Sequence, residues 1–338
     1  MSTPSSKRSQ NFMQSFGRTA GLLGAILLVI AIFAIASHGL FLKPDNLLGL
    51  LRYMSSLAIV GLGLTAVLMV GEIDLSFGAV YGLSSMLMGV AWIVWGWNLW
   101  LAILLSVVMA VAVGAFNAFF TTITKIPSFI ATLGSSTIVF GVTLLVSASR
   151  TFSPLAPPDG RVIPKSELNI FSELSNHKLP FGIPMQVTWM LLAALIFWYL
   201  ITKSLFGFHL KAIGGNQVAA GFAKIKVRKY KMWAFIICSI AAAFAAILDF
   251  AFINSVQPDS GSGLLFPTFA AVVIGGASLI GGRGTVTGTL LGCLLLAVLA
   301  NGLALLGSGA FLQQMFVGAV TIGAVVLDQT TRGLRRNQ

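Results

Sequence analysis

The sequence has very few charged side chains. Only 9% of its 338 residues are Asp, Glu, Lys or Arg, whereas 57% are hydrophobic, and its mean hydropathy is +0.94. Ordinary soluble domains carry about 25% charged residues, so this chain lacks the polar surface that a soluble globule needs. The scarcity of charge therefore excludes a soluble enzyme or binding module and predicts a polytopic membrane protein.

Cysteine and histidine are equally scarce. Cys238 and Cys293 each lie inside an apolar run, which is typical of small buried side chains rather than of a disulfide or a metal pair. The three histidines are far apart and show no metal-ligand spacing. The sequence thus offers no metal ligands and no catalytic residues, and we expect no cofactor bound by this chain.

Acidic residues are also few, nine against 21 basic ones, which gives a net charge of +12. Nucleic-acid binding does not follow from this balance, because no basic stripe is interleaved with exposed aromatic residues. Positive-inside loops and anionic lipid head groups account for it. We therefore expect membrane lipid, and no nucleic acid, as a partner.

Long apolar runs are abundant. Because a membrane helix needs roughly 20 apolar residues, the sequence predicts an all-α fold of about ten transmembrane helices. The expected spans are 19–37, 47–70, 77–95, 99–123, 130–147, 186–202, 232–253, 264–280, 285–305 and 311–327. They form one transmembrane domain, 19–328, with tails at 1–18 and 329–338. We expect the Gly-rich segments at 71–78 and 275–284 to break helices within the bilayer or to re-enter it.

Basic residues are unevenly distributed among the loops. Lys211, Lys224, Lys226, Arg228, Lys229 and Lys231 lie in one loop with no acid among them, and Lys203 lies just upstream. With both termini in the cytoplasm, most of the 21 basic residues fall on the cytoplasmic side, as the positive-inside rule requires. We therefore predict a cytoplasmic loop at 203–231 and an outer, periplasmic loop at 149–185.

The basic loop opens with AIGGNQVAAGFAKI. This pattern predicts a turn at Gly214–Gly215, an Asn216 N-cap and a short helix from Gln217 into Ala223. A small helix of this kind suits docking into a groove of a soluble partner, and the alternative is a merely solvated loop. The residues assigned to docking are Gly214, Gly215, Asn216, Gln217, Ala219, Ala220 and Ile225.

Acidic side chains within apolar segments form a second group of candidates. Such acids are costly in a membrane and usually functional. Asp74, assisted by Ser76, has the alternative role of capping the third helix, and Asp249 has the alternative of lying near the outer surface. The residues assigned to a solute path are Glu72, Asp74, Ser76, Phe129, Asp249 and Asn254.

Two further motifs predict structure. In KIPSFIATLGS, Pro127 suits the first turn of a helix, and we expect Ser128 or Thr132 to bond backbone groups freed nearby. The glycines at Gly284, Gly288 and Gly292 are four residues apart, the small-xxx-small spacing that lets membrane helices approach closely. The adjoining GGRGT is not a phosphate-binding loop, because it lacks the Lys-Ser/Thr ending.

Together these segments resemble the inner-membrane permeases of bacterial ABC importers of the ribose/galactose/xylose class. GEIDLSFG is similar to that family's GGIDLS, PSFIATLG to its PFIATL, and AIGGNQVAA to its GGN-x-x-A loop. QPDSGSG, the glycine-rich run VVIGGASLIGGRGTVTGTLLG, the late NGLALLG and Asp328 also fit. The chain departs from the pattern at Glu72, where Gly is common, at Gln217, where an acid is common, and at Ala223–Lys224, where Ser-Gly is common.

The resemblance implies a permease in the bacterial inner membrane that imports a sugar or sugar-like polyol. It further implies a second permease chain, identical or not, cytoplasmic ABC ATPase subunits that use ATP and Mg, and a periplasmic sugar-binding protein. The residues leave one alternative open, an ion-coupled secondary transporter or channel that uses the intramembrane acids.

Overall fold

The architecture is known from a computed structural model. It describes the backbone of residues 4–336 and the side chains of residues 19–158, 160–309, 311–323 and 326. Within these residues the fold is all-α, and extended pairing is limited to two isolated bridges, Phe152 with Val256 and Lys178 with Pro184.

Thirteen α-helices follow one another in the described chain. They are α1 (Pro4–Ala36), α2 (Pro44–Met69), α3 (Phe77–Gly89), α4 (Leu99–Thr122), α5 (Ser128–Ser147), α6 (Lys165–Asn176), α7 (Met185–Trp198), α8 (Leu205–Gly215), α9 (Gln217–Phe222), α10 (Val227–Ile253), α11 (Leu265–Ile274), α12 (Val286–Leu305) and α13 (Ala310–Arg336). Single π-helical turns extend α3 to Val94 and α7 to Lys203.

Eight described segments are long and apolar enough to cross a membrane. They are Thr19–Ala36, Pro44–Met69, Phe77–Val94, Leu99–Thr122, Ser128–Ser147, Met185–Lys203, Val227–Ile253 and Val286–Leu305, and each overlaps a predicted span. The all-α polytopic fold is confirmed. The count of ten is not, because the spans expected at 264–280 and 311–327 correspond to the shorter apolar helices Ser262–Ile274 and Phe311–Gly323.

The chain ends differ from the predicted tails. Helix α1 begins at Pro4, well before the apolar part that starts at Thr19. Most of that apolar part is exposed, and it packs at the edge of the bundle against α12. The side chains of the expected tails 1–18 and 329–338, and that of Asp328, lie outside the described residues.

Small side chains let the central helices approach closely. A Cβ at Gly63 of α2 would lie 2.9 Å from the Cα of Cys238 on α10, and a Cβ at Gly114 of α4 would lie 2.8 Å from the Cα of Ile236. The facing part of α10 is rich in buried alanine. Cys238 and Cys293 are free and buried, as predicted. The most buried spans, α2, α3 and α10, form the centre of the bundle, and α4 packs against α10 from outside.

Two stretches interrupt the helical bundle. Residues 70–76 between α2 and α3 are non-helical, and so are 275–285 between α11 and α12, as the glycine-rich segments predicted. Helix α11 has only 10 residues, about 15 Å of rise, which is half the thickness of a hydrocarbon core. It is therefore a half-helix rather than the full span expected at 264–280.

The loop between α10 and α11 reaches far down the bundle. A Cβ at Gly261 in this loop would lie 1.8 Å from the carbonyl oxygen of Gly78. Gly78 is near the start of α3, about 24 Å along the helix axis from Val94 at its far end. Residues 254–264 therefore bring non-helical backbone to membrane depth.

The glycine row lies where α12 meets α11. A Cβ at Gly288 would lie 1.9 Å from the carbonyl oxygen of Gly275, and one at Gly292 would lie 1.9 Å from that of Ala271. Gly284 precedes α12, and its Cβ would lie 2.8 Å from Met69 Cγ. Any side chain at Gly288 or Gly292 thus has to separate two backbones.

Replacing Gly288 with Leu should destabilise the protein by about 3 kcal/mol or more, because the side chain has no room between α11 and α12. Thermal unfolding of the purified chain in detergent measures this change. Gly24→Leu on α1 is the matched control, since nothing lies within 4 Å of a Cβ there. Equal stability of the two variants would mean that α11 and α12 do not pack closely.

Candidate functional site

The short helix α9 and the residues around it, which the sequence assigns to docking, lie at one end of the bundle, which we call the basic end. Helix α8 ends at Gly215, and Asn216 caps α9 by accepting a hydrogen bond at Oδ1 from the Ala219 N–H at 3.0 Å. The predicted N-cap and short helix are therefore confirmed. Gly214 and Gly215 form the last residues of α8 rather than a separate turn.

The residues assigned to docking divide into two groups. Gly215, Asn216, Gln217 and Ala219 are exposed, whereas Ala220 is buried and Gly214 and Ile225 are partly buried. The exposed face of α9 also carries Val218, 69% exposed, and Phe222, 85% exposed. Sequence reasoning missed these two, although an exposed apolar pair spaced four apart is the usual form of a helix-docking anchor.

Three backbones meet directly behind α9. The Gly282 N–H donates to the carbonyl oxygen of Met69, the last residue of α2, at 2.9 Å. A Cβ at Gly214 would lie 1.9 Å from that oxygen and 2.2 Å from the Gly282 nitrogen. Because no side chain separates them, any displacement of α8 acts directly on the end of α2 and on the 275–285 turn.

Lys231, in the first turns of α10, joins the docking helix to the break between α2 and α3. Its Nζ forms an ion pair with Glu72 Oε1 and donates to Gln217 Oε1 at 2.9 Å. Lys231 and Glu72 are each only 8% exposed. Two of the three departures from the family pattern, Glu72 and Gln217, therefore meet at one ammonium group.

The break itself is held by hydroxyl groups of α5. Ser128 Oγ accepts from the Ile73 N–H, and Thr132 Oγ1 accepts from the Leu75 N–H, each at 3.0 Å. These are the backbone groups that a helix would have paired, so the predicted role of Ser128 and Thr132 is confirmed. The non-helical segment is thus anchored to α5 rather than left open to lipid.

Asp74 and Ser76 are fully buried within this break. Asp74 Oδ1 accepts from the Ser76 N–H at 2.8 Å and from its hydroxyl at 2.6 Å, and Asn117 Nδ2 donates to Ser76 Oγ at 2.7 Å. This arrangement shapes the entry into α3. It corresponds to the local structural alternative for Asp74 and places neither side chain on a cavity wall.

Asp249 ties four helices together near the opposite end. It accepts hydrogen bonds from Ser56 Oγ at 2.7 Å, Tyr81 OH at 2.5 Å and Gln186 Nε2 at 3.0 Å. Its donors come from α2, α3 and α7, and Asp249 itself lies on α10. The carboxylate is therefore a helix-joining group rather than an exposed residue at the outer surface.

The other two solute-path candidates are placed differently from Asp249. Asn254 is the C-cap of α10, with φ 54°. Phe129 is 48% exposed on the outside of α5. The structure therefore does not bring the six candidates together in one site.

A cavity of about 330 Å³ lies beside the re-entrant loop. Its walls come from the start of α3, the middle of α5 and the loop before α11. Hydroxyl groups of Ser136, Thr137 and Ser262, the carboxylate of Asp259 and the ring of Phe140 line it. Non-helical backbone at membrane depth is tolerated where it lines such a cavity, so this is the best candidate solute site.

Sequence reasoning missed the cavity residues because they carry no local signal. Ser136 and Thr137 are ordinary residues of an apolar helix, and Asp259 reads as a loop residue. The QPDSGSG run was noted, but its approach to α3 depends on contacts of Gly261 with Gly78 and of Pro258 with Gly82. Only the folded chain brings these groups together.

Comparisons with known proteins find relatives that match most of the chain. A family described as a permease component of branched-chain amino acid transport systems matches residues 46–325. The ribose import permease protein of Bacillus subtilis (strain 168) is 36% identical over 91% of this chain and 91% of its own length. The D-allose transport system permease protein of Escherichia coli (strain K12) is 30% identical over 97% and 96%. No solved structure matches the chain.

Replacing Lys231 with Met should destabilise the protein by about 3 kcal/mol, because it leaves the buried Glu72 carboxylate without its cation. The double variant Glu72→Met/Lys231→Met should cost clearly less than the sum of the two single changes. Thermal unfolding in detergent measures both.

A double-mutant cycle on the exposed pair Glu173 and His177, on the opposite side, is the control. Its coupling energy should stay below about 1 kcal/mol, since water screens exposed pairs. A coupling energy at Glu72 and Lys231 no larger than this would show that the ion pair does not hold the break to α10.

Proposed function

The chain belongs to the family of transport-system permease components, and on that premise we propose that it is the membrane permease of an ABC importer that moves a sugar or sugar-like polyol into the cytoplasm. The family match confirms the resemblance drawn from the four motifs. One observation carries the proposal: α9 is exposed, and Gly214 of the adjoining α8 is in backbone contact with the end of α2 and with the 275–285 turn.

The lining of the solute cavity favours a polyol over an amino acid. Hydroxyl groups, one carboxylate and an aromatic ring are suited to the hydroxyls and apolar faces of a sugar. A zwitterionic amino acid would also require a cation for its carboxylate, and none of the described lining residues is Lys or Arg. The ribose and D-allose permeases among its relatives support the same substrate class.

Energy would come from a separate subunit. We assign ATP and Mg to ABC ATPase subunits that dock on α9, since the sequence has no Lys-Ser/Thr phosphate loop of its own. ATP-driven movement of α8 and α9 would reach the bundle through Gly214 and through Lys231. Both contacts lead to the 70–76 break, which lies next to the α3 wall of the cavity.

The orientation follows from the position of the basic loop. We place α8, α9 and both termini in the cytoplasm and the 149–185 segment in the periplasm, where it would receive a sugar-binding protein. A second permease chain, identical or not, would pack on the side of α5. Phe140 is 41% exposed there beside the cavity, so a second chain at this face would enclose the solute.

The bonding of the intramembrane acids does not favour the ion-coupled alternative. Glu72 is paired with Lys231, Asp74 bonds Ser76, and Asp249 accepts three hydrogen bonds from neighbouring helices. A coupling-ion site needs carboxylate oxygens that face a water-filled path. Glu72 and Asp249 thus join separate elements of the bundle, and Asp74 bonds Ser76 within its own segment.

Replacing Val218 and Phe222 with Asp should reduce co-purification of the ATPase subunit at least tenfold, because the exposed apolar anchors of α9 are lost. The subunit is identified by mass spectrometry and by ATP binding. Val162→Asp/Phe181→Asp, which changes two exposed apolar residues at the opposite end, is the control. Undiminished ATPase recovery with the α9 variant would overturn the docking assignment.

Replacing Thr137 with Val should lower uptake of the transported sugar about tenfold, because a hydrogen bond to a sugar hydroxyl is lost without a change of volume. Uptake of labelled ribose and allose by cells that carry the whole transporter measures this. Thr188→Val on α7, which does not line the cavity, is the control. Equal uptake by both variants would place the solute path elsewhere.

A further inference from the structure

A second cavity, of about 470 Å³, lies at the basic end between the α4–α5 turn and the start of α10. Its lining includes the cations Lys125, Arg228 and Lys231 and a single acid, Glu72. The walls therefore carry a net charge of about +2. The proposed transport path uses Glu72 and Lys231 as a link, but it leaves Lys125 and Arg228 without a role.

One of the three cations in this cavity has hydrogen-bond and ion-pair partners, and the other two have none among the described residues. Lys231 is shared between Glu72 and Gln217, so the one acid is already neutralised. Lys125 and Arg228 have neither a hydrogen-bond partner nor an ion-pair partner among the residues that the structure describes. Two cations at the wall of one cavity are thus available to an anion.

Two helix N-termini add to the positive potential. Ser128 begins α5 and Val227 begins α10, and both residues line the cavity. Neither helix has a side chain that caps its first N–H groups, and at the start of α10 the Val227 N–H is already paired with the carbonyl oxygen of Ile225 at 2.8 Å, so the N–H groups that follow it are the ones open to an anion. Unpaired N–H groups at a helix start favour anions, and phosphate groups above all.

The surroundings of the cavity are apolar. Ile126 and Pro127 line it, and Ile123, Phe129 and Ile130, on either side of them in the α4–α5 region, are 53%, 48% and 50% exposed. These exposed side chains lie at the ends of membrane spans, where acyl chains meet head groups. A ligand that fits both features has a phosphate and an apolar tail.

We propose that this cavity binds the phosphate head group of an anionic phospholipid from the leaflet at the basic end. Lys125, Arg228 and the starts of α5 and α10 contact the phosphate, and the acyl chains lie along the exposed residues of α4 and α5. The bound lipid joins the α4–α5 turn to α10 beside Gln217 of the docking helix.

The test uses the purified full-length chain and native mass spectrometry with added phosphatidylglycerol. Lys125→Gln/Arg228→Gln should weaken binding of this lipid about 30-fold, since each cation near a membrane surface strengthens the attraction about fivefold. Lys226→Gln/Lys229→Gln is the matched control: it removes the same charge from neighbouring exposed positions that do not line the cavity. It should change binding by less than about threefold.

Several results would overturn the proposal. Equal weakening by the two double variants would mean that lipid binds the basic surface in general. If phosphatidylcholine bound as tightly as phosphatidylglycerol, the net negative charge of the lipid head group would have no role in binding. If equimolar inorganic phosphate displaced the lipid, free phosphate would be the ligand. Loss of ATPase co-purification with Lys125→Gln/Arg228→Gln alone would assign the cavity to the partner. Unfolding temperatures of both variants confirm that they fold.

Discussion

The bundle depends on one constraint: every backbone N–H and C=O group within the membrane needs a hydrogen-bond partner in the protein, because lipid offers none. A membrane helix satisfies its own N–H and C=O groups, so any interruption has to find partners within the protein. At the 70–76 break, Ser128 and Thr132 of α5 supply them. At the 275–285 turn, the Met69 carbonyl accepts from Gly282. The two interruptions exist because neighbouring helices complete their backbone hydrogen bonds.

Glycine and charge perform different tasks at the basic end. Gly214, Gly281 and Gly282 allow three backbones to touch, which makes the junction behind α9 short and stiff. Lys231 spans a longer distance with a flexible side chain and ends on a buried carboxylate. The junction therefore combines direct backbone contact with a side-chain ion pair, whose attraction falls off only slowly with distance.

The helices and their order were largely predictable, because each rests on a local signal. Apolar runs of sufficient length located eight spans, and the side chain of Asn216 alone predicted the start of α9. The region from 264 to 280 was not predicted correctly. Its apolar content is that of a span, but the helix ends at Gly275 and the backbone turns at Gly276, which has φ 106°, so only the ten residues Leu265–Ile274 are α-helical.

The candidate site likewise combines features that the sequence predicts with features that only tertiary contacts decide. Composition determined by itself that the chain is a membrane protein with a basic loop, since hydropathy and charge are sums over neighbouring residues, and the order of the motifs carried the resemblance to permeases. Which side chains share a site was decided only by the tertiary structure. Glu72, Gln217 and Lys231 are far apart in the sequence and meet at one atom, whereas Asp74 and Asp249 lie apart in separate networks. These contacts between distant residues depend on how the helices cross, and no local sequence pattern indicates how they cross.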